Sequence, residues 1–527
     1  MRSLRIRENR LDRFRMGEDM RRMLLRNLAI LASSALLVFA AAETAPASGS
    51  LAACPGYTKC PQVNFAQILK TDPQSVQNED QITAFEDIFL EVANQSGMTN
   101  LEEKQALGGI LVFDRNLSVN RNQACFSCHT PGAGFTGGIS ALNTTTATFP
   151  GSVQIRTGNR KPPSAAYAAF SPVLYYSPSI QDARLKTNAE NSEANFIGGT
   201  FVDGRATGLV TGSPAGDQAM GPPTNPLEMA LPDHACAIYR ISQGSYANVF
   251  RAAWGVASLN ITWPANASAV CNTPNEGAAN QQPLALATAD RALAEKDYIS
   301  MAQSIAAFEL TSFVSPFSSK YDAYLAGAAQ LTTQESLGLQ LFNGKAQCNA
   351  CHLSLGSKPL FNDFTFNNIG TPANPNNPYR YENANNGSGL IANPAGPSYV
   401  DDGLGAFLAG SLNTNKDWKA LAPQYMGAYQ TATLRNVAAV PAAGFKRAYT
   451  HNGYFTDLPT LVHFYNTRDI LPQCKTASQK VGVNCWPAPE EPANVNTLQT
   501  GNLGLTAAEE AAIVAFLNTL TDGYFNP

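Results

Sequence analysis

Two pentads of the form Cys-x-x-Cys-His stand in this chain: Cys125-Phe126-Ser127-Cys128-His129 and Cys348-Asn349-Ala350-Cys351-His352. Paired thiols at this spacing can add across the two vinyl groups of one porphyrin. The His abutting the second thiol then becomes the proximal ligand of the metal. The pattern is the attachment signature of c-type haem. Zinc sites built from Cys pairs take their His at other spacings. The pentads therefore predict two covalently bound haem c groups, with His129 and His352 as iron ligands, and a redox protein.

The rest of the sequence fits an exported redox protein. Residues 1–26 are rich in Arg, and an apolar run from Leu28 to Ala42 ends in Ala40-Ala41-Ala42. This reads as a cleavable signal peptide over residues 1–42, with Met20 and Met23 as alternative starts, and no later run is long enough to span a bilayer. A lipoprotein box at Leu51-Ala52-Ala53-Cys54 is the weaker reading, because it does not abut the apolar run. The six Cys outside the pentads fall in close pairs: Cys54 with Cys60, Cys236 with Cys271, and Cys474 with Cys485. In the oxidising periplasm, where c-type haem is attached, they predict three local disulfides. Residues 1–42 hold nine Arg and four acids, so the remainder carries 27 basic and 36 acidic residues, a charge of −9. That balance argues against nucleic acid as a partner.

Both pentads need elements to hold them, and the chain supplies these twice. The first copy runs Thr99-Asn-Leu-Glu102, Leu107-Gly108, Leu111-Val112-Phe113, then the pentad; the second runs Thr332-Thr-Gln-Glu335, Leu337-Gly338, Leu341-Phe342, then the pentad. Each Thr-x-x-Glu is a capping box that opens a helix. The apolar positions share one helical face, suited to packing on a porphyrin. The first copy carries seven extra residues within Phe113–Gln123, and duplication accounts for the pair. Ala285–Ala328 is helical in pattern and bridges the copies, and a further capping box at Thr506 and Glu509 opens a helix running through Leu520. Residues 130–235 and 354–425, rich in Gly, Pro, Asn and Ser with interleaved aromatics, read as long wrapping loops. The expected organisation is a signal peptide (1–42), a cystine-bearing segment (43–81), a first haem domain (82–300) and a second (301–527). The fold class is mostly α with little sheet.

Over roughly residues 85–525 the chain resembles the bacterial dihaem cytochrome c peroxidases and their MauG branch. The resemblance lies in the pentads, Gly134-Phe135, Phe201-Val-Asp-Gly-Arg205, Gln218-Ala-Met-Gly-Pro222, Asn225-Pro-Leu-Glu-Met229, Ala306-Ala-Phe308, Tyr321-Asp-Ala-Tyr-Leu325, Thr433-Leu-Arg-Asn-Val437, His451-Asn-Gly453 and Phe464-Tyr-Asn466. It implies two cytochrome-c-like domains facing each other. The first haem would be the peroxide site and the second an electron relay. It makes Gln218, Pro222 and Glu228 the catalytic residues, with Glu228 shuttling a proton as the O–O bond breaks and Gln218 orienting the peroxide. Residues 130–233 contain no His, which implies an open first haem, and His234 is the one competitor for its vacant position.

The second haem would take a further ligand. Fourteen residues after His451, where the peroxidases have Met, this chain has Tyr465, as the MauG branch does. Tyrosinate is a hard anionic ligand that favours ferric iron. Met426 and His451 are its rivals, and His463 is read as structural. Three positions depart from the family pattern. Val202 replaces the inter-haem Trp. Lys161 replaces an Asn that ligates calcium, leaving calcium and the Lys161 ammonium as alternative cations. Asn367 stands where many relatives have His.

The expectation is a periplasmic peroxidase. It would take hydrogen peroxide as oxidant and a small periplasmic cytochrome c or cupredoxin as donor, or oxidise a protein substrate as the MauG branch does. The alternatives are a dihaem oxygenase of the rubber-oxygenase type and a non-enzymatic dihaem electron carrier.

Overall fold

The computed structural model describes residues 98–178, 194–277, 283–384, 390–476 and 478–525, together with Leu90. The expected signal peptide, the cystine segment and the Cys54–Cys60 pair lie outside the described residues. The described residues cluster as a single compact unit.

The unit is mostly helical. Seven helices frame it: α1 (Asn100–Phe113), α2 (Pro214–Ala219), α3 (His234–Gln243), α4 (Thr288–Glu309), α5 (Thr333–Asn343), α6 (Leu458–Thr467) and α7 (Ala507–Asn518). Capping boxes open three of them as the sequence predicts, with Thr99, Thr332 and Thr506 each bonded reciprocally to the Glu three residues on. Sheet among the described residues is limited to two short antiparallel pairs and isolated bridges. β1 (Tyr175–Ser177) pairs with β2 (Asn195–Ile197), and β3 (Phe366–Asn367) with β4 (Tyr429–Gln430). No described helix is long and apolar enough to cross a membrane.

The duplication read from sequence is a duplicated helix crossing. Helix α1 packs on α4 and α5 packs on α7. The repeat glycines make both crossings close. A Cβ on Gly108 would lie 2.0 Å from the Ser304 carbonyl oxygen and 2.7 Å from Phe308 Cβ, and one on Gly338 would lie 2.0 Å from the Ala512 oxygen and 2.8 Å from Phe516 Cβ. Ser304 to Thr311 therefore matches Ala512 to Thr519 position by position. Each crossing anchors its own apolar core, the larger around Leu107, Phe113, Phe126 and Phe308, the other around Phe342, Phe361 and Phe516.

Helix α4 runs unbroken through position 300, carrying the chain from the first pentad's surroundings toward the second's. Disulfides Cys236–Cys271 and Cys474–Cys485, with Cα atoms 5.2 Å and 5.0 Å apart, staple two loop regions, while the four pentad cysteines are free.

Candidate active site

The first pentad forms a single helical turn, Cys125–Cys128, and opens onto a cavity. Cys125, Cys128 and His129 line it, as do Gln218, Pro222 and Glu228. These residues span about a hundred positions of sequence. Ser213 caps α2 and Pro214 occupies its first turn, which sets Gln218 on the cavity wall. The Pro222 carbonyl accepts from the main chains of Asn225 and Met229, both at 3.2 Å, and so fixes the loop that carries Glu228. Val202 also lines the cavity, and its carbonyl accepts from Gln430 N at 2.8 Å, so β4 of the C-terminal half closes the wall.

The residues fit a porphyrin attached through thioethers. His129 Nδ1 lies 2.9 Å from the Pro163 carbonyl and 3.3 Å from that of Phe135. A carbonyl can only accept, so Nδ1 carries the proton and Nε2 keeps its lone pair for a metal. His352 repeats this with the Phe361 carbonyl at 3.0 Å. Burial pushes both rings toward the neutral, ligating form. It also drives the Cys125 and Cys128 thiols up to about 12. Among the described residues no three His, Cys, Asp or Glu side chains converge as a metal cluster.

The electrostatics of the first cavity centre on Glu228. Burial raises its pKa, while Arg205 and a 2.6 Å hydrogen bond from Asn225 Nδ2 oppose that rise. The Arg205 guanidinium also lies 3.7 Å over the Phe201 ring and pairs with Asp203 at 2.6 Å. The Gln218 side chain has no hydrogen-bond partner among the described residues. His129 is the only His among the lining residues. His234 stacks on Tyr298 at 4.0 Å and bonds Glu295 through Nδ1 at 3.0 Å, away from the lining.

Around the second pentad, Tyr465 on α6 joins the core cluster that holds Cys348, and its phenol lies near the Cys351 and Cys348 sulfurs. Burial raises its pKa. Its hydroxyl has no hydrogen-bond partner among the described residues. The rivals are engaged elsewhere. His451 stacks on Tyr429 at 3.8 Å, and its Nε2 lies 3.2 Å from Glu490. Met426 Sδ packs where a Cβ on Gly405 would sit. His463 bonds Glu510 at 3.0 Å.

Of the three departures, Asn367 donates to Cys351 Sγ at 3.8 Å, as Gln123 does to Cys128 Sγ at 3.4 Å. Lys161 is half-buried and near enough to His129 to disfavour its protonation. Its Nζ donates to the Pro162 carbonyl at 3.0 Å and to Thr136 Oγ1 at 3.3 Å, and burial with Arg447 pushes it down to about 7. Among the residues lining the first cavity no Trp stands in for the one absent at Val202. Instead Ala432, whose main chain lies beside the His352 ring, itself lines the first cavity.

Sequence reasoning missed Glu309, a second carboxyl on the same wall. Aligning Ile305–Thr311 with Ile513–Thr519 exposes it, because the repeat has Leu517 there.

A family model described as di-haem cytochrome c peroxidase matches residues 102–330. The methylamine utilization protein MauG of Paracoccus denitrificans is 31% identical over 433 residues, covering 80% of this chain and 89% of that protein. Cytochrome-c peroxidase IdrP2 of Denitromonas iodatirespirans is 27% identical over 201 residues, covering 38% of this chain and 43% of its own. The crystal structure of the diheme peroxidase BthA from Burkholderia thailandensis superposes with a TM-score of 0.57 at 26% identity, covering 80% of this chain and 86% of that one. The chain belongs to the di-haem cytochrome c peroxidase family that includes MauG. It is a peroxidase, an oxidoreductase whose family uses two haems.

Proposed function

We propose that this chain is an exported peroxidase that reduces hydrogen peroxide at a haem bound covalently through Cys125, Cys128 and His129, with electrons relayed through a second haem on Cys348, Cys351 and His352. The observation that carries the reading is the meeting of His129, Gln218, Pro222 and Glu228 on one cavity. Cys125, Cys128 and His129 would hold the haem, which would supply the reduction of peroxide by two electrons and two protons to two waters.

The side chains supply the rest. Glu228 would take the proton from one peroxide oxygen and return it to the oxygen that leaves as water. Burial favours its neutral form while Asn225 and Arg205 favour the ionised one, which suits a group that must do both. Gln218 holds the peroxide with its free amide. Pro222 is a positioning residue, because its carbonyl ties down the loop bearing Glu228.

Tyr465 is the proposed second ligand of the relay iron. An anionic oxygen there favours oxidised iron and directs the reading toward oxidation of a protein substrate. A small periplasmic cytochrome c or cupredoxin is the donor in the simpler peroxidase cycle. Lys161 is proposed to stand in for a calcium ion, and elemental analysis of the purified protein separates the two.

The test is to record EPR and optical spectra of the fully oxidised holoprotein before and after one equivalent of peroxide. A high-spin ferric signal beside a low-spin one, with immediate spectral conversion, is expected. Two low-spin signals and no reaction would overturn the reading and leave an electron carrier.

A further inference from the structure

Glu309 is the last residue of α4 and is only 6% exposed. Its side chain lies on the cavity wall, close enough to Cys125 to disfavour a thiolate there. Its main-chain oxygen accepts from Ser315 Oγ at 3.1 Å. Its carboxyl has no hydrogen-bond or ion-pair partner among the described residues. Glu228, the other carboxyl of the cavity, has Asn225 and Arg205.

The internal repeat shows what folding requires at this position. Phe308 packs at the Gly108 crossing as Phe516 does at the Gly338 crossing. The residue after Phe516 is Leu517, 5% exposed in the second core. A leucine therefore satisfies the crossing, and the carboxyl is peculiar to the first cavity.

An unpaired carboxylate in such surroundings is disfavoured, so the group's proton affinity is raised and responds to any charge placed beside it in the cavity. Burial alone raises its pKa to about 8. The charged groups of the packed elements are engaged elsewhere. Asp217 on α2 accepts from the 208–211 loop, His234 on α3 bonds Glu295, Arg240 donates to carbonyls at Asn116, Ser118 and Cys271, Lys104 on α1 lies over Trp254, and Asp297 accepts from Leu259 N.

We propose that Glu309 is the redox-linked proton site of the first haem. Glu309 would be ionised while a haem held by His129 carries its ferric charge, would take one proton from bulk water at a carboxylate oxygen as that haem gains one electron, and would return the proton on oxidation. Reduction removes one positive charge beside a carboxyl in a medium of low dielectric, so its proton affinity must rise. The inference rests on the reading that this cavity holds a haem, and not on how that haem meets peroxide.

The experiment is a spectroelectrochemical titration of the first haem's ferric/ferrous couple in the holoprotein, from about pH 6 to about pH 9. The wild-type potential is expected to fall with rising pH near the slope of one proton per electron, about 59 mV per tenfold change. Glu309→Gln and Glu309→Leu are expected to flatten it, and Glu228→Gln to retain it. A slope that survives in the Glu309 variants, or vanishes in Glu228→Gln instead, overturns the proposal. Redox-difference infrared spectroscopy of the wild type is independent of variant folding. It should show a carboxylic-acid band gained on reduction, and its absence overturns the proposal. Failure of the peroxide test would leave this slope unchanged, so the two readings fail separately.

Discussion

Gly108 crosses the main chain of Ser304 with no room for a side chain, since a Cβ would lie 2.0 Å from the carbonyl oxygen. Alanine is favoured over glycine in a helix by about 1 kcal/mol. Relieving a contact this close means separating α1 from α4, and overpacking costs about 1–3 kcal/mol or more. Packing wins. Gly108→Ala is expected to lower the thermal midpoint of the holoprotein and its haem content. Gly338→Ala should do the same through Ala512. A midpoint equal to or above wild type in scanning calorimetry would show that the helices yield without cost.

How much of this was legible in sequence can be judged from particular residues. The pentads, the three Thr-x-x-Glu caps and the Leu-Gly repeats are local signals, and each is where it was expected. So are the Cys236–Cys271 and Cys474–Cys485 pairs, whose closeness in sequence matches closeness in space. Gln218, Pro222 and Glu228 could be named only through the resemblance, since nothing in their local pattern says that they face His129. The Arg160–Asp401 pair joins residues 241 positions apart and leaves no periodic trace. The same is true of His451, which meets Tyr429 and Glu490 only once three loops have packed. Glu309 was hidden for a different reason: at the end of a long helix, a lone Glu reads as a solvated charge until the cavity beside it is known.

Glu228→Gln removes the proposed proton shuttle while keeping the shape and the hydrogen-bonding capacity toward Asn225. The rate of spectral conversion by peroxide, followed by stopped flow, is expected to fall by about 10²–10⁴-fold. The resting EPR spectrum should stay unchanged, because Glu228 is not a ligand in this reading. Gln218→Leu is expected to weaken peroxide binding more than it slows the bound step. A conversion rate within about threefold of wild type in Glu228→Gln would remove the carboxyl from the mechanism.

Asp401 is held well ionised by Arg160. Burial would raise its pKa, yet the guanidinium at 2.6 Å brings it down to about 2, below the ordinary 3.8. A folded-state pKa below the unfolded one means that the ionised carboxylate stabilises the fold above about pH 4. That contribution is lost as pH falls from there toward about 2. Asp401→Asn should lower stability near neutral pH by about 3 kcal/mol, because Arg160 then keeps only Asp203 as a buried counter-charge. It should also flatten the acid limb of the stability profile. Denaturant melts at several pH values check both effects, and an unchanged acid limb would assign the transition to other carboxylates.

Tyr465 makes the sharpest claim about the second haem. Among its rivals, His451 is held by the Tyr429 ring and Glu490, and Met426 packs against Gly405, whereas the Tyr465 phenol lies beside the Cys351 and Cys348 sulfurs without a hydrogen-bond partner among the described residues. Burial raises the pKa of a free phenol, so tyrosinate forms there only if a metal takes the proton's place. Tyr465→Phe keeps the ring's packing on α6 and deletes the donor oxygen. It is expected to alter the low-spin ferric signal and to raise the second haem's potential by on the order of 100 mV, within the ~0.8 V that axial ligands span. The high-spin signal of the first haem should stay as it is. Met426→Leu and His451→Gln should leave the low-spin signal in place. If Tyr465→Phe preserves that signal and Met426→Leu abolishes it, the relay iron has a thioether ligand, and the tilt toward oxidation of a protein substrate loses its physical basis.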